Sequence, residues 1–185
     1  MTRVAGQIQV EAKSPVTAAA VAMMDRCEAL VLAIPADKYA VTSKTLKGGT
    51  IGKHIRHTLD HFRAALEAVS GMVIDYDHRE RDVPMETEPR EAIREIKAVR
   101  ARILNLDPAA LETVVRVRIM VDGDGTETEL GSTLARELAF VSHHAVHHHA
   151  MLGAIATELG VVLDQDFGKA PSTVSHERGL RSRAD

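Results

Sequence analysis

The chain is poor in the residues that several functions require. It has one cysteine in 185 residues, Cys27. An internal disulfide is impossible, and a reducing compartment is the simplest expectation. Tryptophan is absent and aromatics make up 3% of the chain, so stacking platforms for bases are lacking. Net charge is −3, which leaves no global basic field to attract nucleic acid. No apolar run approaches the ~20 residues that span a bilayer. The stretch Met1–Gln7 has no apolar region of a secretory leader. A soluble cytoplasmic protein with neither membrane nor nucleic-acid partner is expected.

Histidine is what the chain has in excess. Ser142-His143-His144-Ala145-Val146-His147-His148-His149 places five histidines in one short run, and His54, His57 and His61 form a second cluster upstream. Imidazole is a common ligand of zinc, nickel and non-haem iron. Two helical clusters that face each other would make a metal site.

Local signals predict the helices. Ser14-Pro15 opens the first, and Pro35 stops it. The second runs from about Thr50 to Val69 and ends at Ser70-Gly71. Residues 72–87 read as an irregular, charged connection. Thr87 is expected to cap the third helix, which ends before Asp107-Pro108. The β-branched run 113–121, the turn Asp122-Gly123-Asp124-Gly125 and the segment 126–130 predict a β-hairpin. Ser132 is expected to cap a long fourth helix ending near Leu159. The fold class is therefore all-α, a four-helix bundle with a small β-hairpin before the last long helix. One domain covers residues 1–167, and residues 168–185 read as a polar, flexible tail.

Each helical step turns the side chain by about 100°. On the fourth helix Leu134, Leu138, Val141, Leu152, Ile155 and Leu159 define an apolar arc that includes Glu137 and His148, with His144 at its edge. His144 and His148 stand at i and i+4, the spacing by which two imidazoles share one ion. His143 points to solvent; His147 and His149 flank the core face, where His149 reads as mostly surface and His147 as a neighbour of the ligands or a pocket residue. Glu137 reads as a carboxylate that fixes a histidine tautomer. On the second helix the apolar stripe ranks His54 and His61 slightly above His57 for inwardness and does not choose among them. Cys27 reads as a small buried hydrophobe; His78 and His176 read as solvated.

The stretch Thr50-Ile51-Gly52-Lys53-His54-Ile55-Arg56-His57-Thr58-Leu59-Asp60-His61, followed by His144-Ala145-Val146-His147-His148, resembles the paired histidine motifs of the DinB/YfiT-like superfamily over roughly residues 14–160. The resemblance implies a metal held by His57, His144 and His148. His61 is the nearest substitute for His57. Many relatives follow the last ligand with Arg-Gly-Gln; here the residues are His149-Ala150-Met151. The family includes thiol-dependent S-transferases, a mycothiol-dependent isomerase and domains of ergothioneine-forming enzymes, and its members are commonly homodimers.

Three imidazoles leave a coordination position open, as in catalytic rather than closed structural sites. The expected function is that of a metal-dependent enzyme, of transferase or hydrolase type, acting on a small substrate such as a low-molecular-weight thiol. The cofactor is a divalent transition ion: zinc, nickel or iron. Glu137 or His61 would supply acid–base chemistry, and His147 or Arg79 would orient an anionic substrate. The alternative is a non-catalytic metal-binding bundle for partner binding or stress response. A di-iron bundle wants Glu-x-x-His pairs, which the fourth helix does not offer.

Overall fold

A computed structural model describes residues 14–182 apart from Met72 and residues 79–81. Arg79 and the stretch Met1–Gln7 therefore lie outside the described residues. The chain is mostly helical. Helix α1 spans Pro15–Ala33, α2 Ile51–Glu67, α3 Pro89–Leu104, α4 Leu134–Glu158 and α5 Pro171–Arg181. Strands β1 (Ile74–Asp75), β2 (Val114–Met120) and β3 (Glu127–Thr133) form one small sheet.

Side-chain caps set most of the helix starts. The Ser14 hydroxyl accepts from Thr17 N at 3.1 Å, and Thr17 answers from its own side chain. Thr50 caps α2 through Lys53 N at 3.0 Å. The cap of α4 is Thr133, one residue later than predicted. Thr133 still pairs with Val114 in the sheet, while the Ser132 hydroxyl is diverted to Glu137 Oε1 at 2.6 Å. Helix α3 starts from Glu88 rather than Thr87 and has no side-chain cap. Its first turn begins with Pro89, whose missing N–H needs no partner.

Helix α1 packs on α3 and α4, and α2 packs on the same two helices. The shared core is mostly aliphatic, with Met24, Leu30, Ile55, Leu59, Ile96, Ile103, Leu138 and Leu152 all nearly inaccessible, and the rings of Tyr39 and Phe62 are buried with them. No described helix is long and apolar enough to cross a membrane.

Two expectations about the chain's periphery change. The hairpin is not isolated: Ile74, from the stretch read as irregular, is fully buried and pairs in parallel with Val117. This adds a third strand to an otherwise helical fold. The stretch after 168, expected as a loose tail, contains α5. Pro171 fixes the first turn, Val174 is buried, and Lys169 Nζ meets Glu177 Oε2 at 2.6 Å.

Candidate metal centre

The histidines of α2 and α4 meet because both helices turn the same stripe inward. On α4 the apolar residues Leu138, Val141, Ala145, Leu152 and Ile155 hold that face in the core, and His148 is carried in with them, 7% exposed. His144 is half-buried beside it. On α2, Ile55, Leu59 and Phe62 anchor the helix, and His54, His57 and His61 line the flank towards α4.

His144 is the hub. Its Nε2 lies 3.2 Å from His57 Nε2 and 3.0 Å from His148 Nε2. The other nitrogen of His148, Nδ1, lies 3.2 Å from His54 Nδ1. His61 packs its ring 4.4 Å from those of both His57 and His144. Its Nδ1 donates to His57 O at 3.0 Å, so Nδ1 carries a proton. His57, His61 and His144 offer ligand atoms that all lie within 4.8 Å of one another.

These contacts test whether the cluster suits a cation. An imidazole nitrogen has one in-plane position, holding a proton or a lone pair. His144 Nε2 cannot satisfy two nitrogen neighbours at hydrogen-bond distance along that single direction. A cation shared by all three removes the conflict. The two separations from His144, 3.2 and 3.0 Å, are also close to the edge, about 3.3 Å, of a tetrahedron of nitrogens around an ion with ~2.0 Å bonds. The donor set fits a divalent transition ion.

Burial keeps the rings in the form that binds metal. Desolvation first, then the neighbouring His144, His54, His147 and His61, pushes the His148 pKa down to about 3. Desolvation, then His147, lowers His54 as well. Neutral imidazole is the ligand species.

Glu137 is buried, 1% exposed, and both its oxygens are engaged. Ser132 Oγ and Arg136 Nη1 donate to Oε1 at 2.6 and 2.7 Å, and Tyr76 Oη donates to Oε2 at 2.7 Å. Tyr76 in turn stacks on His61, centroids 5.0 Å apart and planes 10° apart. Glu137 thus reaches the histidines through the Tyr76 ring rather than by its own bond to an imidazole. Sequence reasoning missed Tyr76 because it sits in a charged loop, where nothing local marks it as buried. His147 is exposed beside His148, with ring centroids 5.3 Å apart.

His149 belongs in the core and not on the surface, a correction to the periodicity reading. It is fully inaccessible: Nε2 lies 3.1 Å from Cys27 Sγ, and its ring stacks on Phe167 at 5.1 Å. Desolvation, then Arg26, pushes its pKa down to about 4, while burial pushes the Cys27 thiol up to about 12. Both groups are neutral at pH 7, which makes Cys27 the inert hydrophobe expected.

The depressed pKa of His149 has a consequence for stability. The unfolded chain protonates this imidazole near 6.5 and the folded chain only near 4. Between those values the unfolded state binds more protons, so stability falls as pH drops. The metal-free protein should lose about 3 kcal/mol through this residue as pH falls from 6.5 to 4. Urea unfolding of chelated protein at several pH values should show the slope, and His149→Leu should reduce it by this residue's share, leaving the part that His148 and His54 contribute. Equal slopes in the two proteins would assign the effect elsewhere.

Residues 19–152 match the family model of the DinB superfamily. A stretch of 105 residues is 34% identical to the protein of Rhizopus delemar named FK506-binding protein 5 and covers 56% of this chain. That stretch spans only 27% of the relative's length. No solved structure matches. The family match takes in most of α1, all of α2 and α3, and α4 through the clustered histidines; the chain belongs to the DinB superfamily.

Proposed function

We propose that this chain is a metal-dependent enzyme in which α1–α4 form a four-helix bundle and His57, His144 and His148 hold a divalent transition ion. One observation carries the reading: the Nε2 atoms of His57 and His148 both lie within 3.2 Å of His144 Nε2. An ion bound there supplies Lewis-acid chemistry, making a thiol or water placed against it more acidic. His61, whose Nδ1 proton is directed to His57 O, accepts the proton released. Glu137 is a positioning residue that holds Tyr76 flat against His61. The substrate is a small molecule, with a low-molecular-weight thiol as the nucleophile.

A second ligand set is favoured by its own observation. His57, His61 and His144 offer mutually close ligand atoms, and His61 would then replace His148 as the third ligand.

Protein made without a histidine tag or nickel column should carry close to one transition ion per chain by elemental analysis. It should transfer a thiol to an electrophilic acceptor, and lose that activity after chelation. Less than about a tenth of an ion per chain after reloading would overturn the metal-centre reading.

A further inference from the structure

A cavity of about 480 Å³ lies between α2, the 75–85 connection and α3, lined by Asp60, Glu67, Asp75 and Glu95 with Arg63. Its predominantly acidic wall would repel an anion. Another cavity, of about 430 Å³, opens on the other flank of α2, and His54, His57 and His148 are part of its lining. Its lining holds three cationic side chains, Lys47, Lys53 and Arg56, and no carboxylate.

Those cations differ in availability. Arg56 is buried and held by Asp60 at 2.8 Å and Glu86 at 2.6 Å, so its charge is matched. Lys47 and Lys53 are exposed. Lys53 Nζ meets a neutral acceptor, Gly48 O, at 3.4 Å. Among the described residues, no carboxylate comes within ion-pair reach of either lysine.

The loop that carries Lys47 is fastened in place. Glu158, at the end of α4, accepts from Ser43 Oγ at 2.8 Å, Lys44 N at 2.8 Å and Thr45 N at 3.2 Å. Gly49 presses on the cluster: a Cβ there would stand 3.0 Å from His54 Nε2.

We infer that this cavity binds the carboxylate end of the substrate, with Lys47 and Lys53 as the residues that select it. The inference rests on the metal-centre reading for what the rest of the substrate does, but the anion cradle itself needs only the lysines. A bound carboxylate, bridging the two lysines, offsets one of their two charges and leaves the substrate's reactive end towards His57 and His148.

The test titrates glutarate, a thiol-free dicarboxylate, into the full-length chain, with and without chelator, following the histidine ring resonances by NMR. Wild type should show saturable shifts that weaken with added salt, and glutaramide, its uncharged analogue, should cause none. Lys47→Gln/Lys53→Gln should lower glutarate affinity about tenfold, within the ~1 kcal/mol that each of two exposed ion pairs contributes at most. Lys47→Arg/Lys53→Arg should restore most of it. Absence of shifts in wild type, or equal affinity in the Gln variant, overturns the inference. Metal content, read separately on the same samples, shows whether the metal-centre reading fails on its own.

Discussion

His144→Ala should reduce metal affinity more than any other single histidine substitution. His144 Nε2 is the atom that both His57 Nε2 and His148 Nε2 approach, so its loss removes the point on which the α2 and α4 rings converge. Removing a group that merely orients a ligand costs 10–100-fold in metal affinity; loss of the hub should exceed about 100-fold. His54→Ala should stay within the smaller range, because His54 addresses His148 through the Nδ1 atoms. Titration against a chromophoric chelator ranks the variants. A larger loss for His148→Ala than for His61→Ala selects the His57, His144 and His148 set, and the reverse selects His61. Wild-type affinity in His144→Ala would remove the centre from this place altogether.

The largest expected effect on stability lies one turn before His57. Gly52 is buried in the first turn of α2, and a Cβ there would come within 1.9 Å of Glu86 O, 2.6 Å of its carbonyl carbon and 2.9 Å of its Cα. The atoms in the way are backbone, and that backbone is pinned. Tyr39 Oη donates to Met85 O at 2.9 Å, and the Glu86 carboxylate meets Arg56 at 2.6 Å and accepts from Asp82 N at 3.2 Å. Neither side can yield cheaply, so Gly52→Ala should cost about 3 kcal/mol, the upper end for overpacking. In a chain of this size that lowers the melting temperature by roughly 10 °C. Gly131→Ala, where an added Cβ meets nothing within 4 Å, should be nearly silent. A Gly52→Ala shift below about 2 °C would show that the 83–87 segment moves aside.

What could be read from the sequence was what repeats along a helix. The apolar period of α4 places His144 and His148 on its inward side, and they lie there, beside the three histidines of α2. Period alone could not rank His54, His57 and His61, because all three line the flank that meets α4 and the partners that separate them belong to another element. His149 shows the same limit. It flanks the apolar arc, and what buries it is Phe167, from a segment that folds back after the helix has ended. Strand β1 is two residues long, and its pairing with Val117 spans the whole of α3. Tyr76 is buried by Glu137 and His61, neither of which is near it in sequence. In each case a non-local contact decided the outcome, and no local pattern announced it.

The separation of His57 and His144 along the chain has a further consequence. They stand 87 positions apart, so an ion held between them closes a loop across nearly half of the polypeptide. By the loop-entropy estimate used for disulfides, a tether of that span removes about 4–5 kcal/mol of freedom from the denatured chain. A protein with one cysteine cannot tie α2 to α4 through sulfur. The proposed centre is thus also a removable cross-link, and the cell's supply of the ion would set how firmly the two halves of the chain are joined.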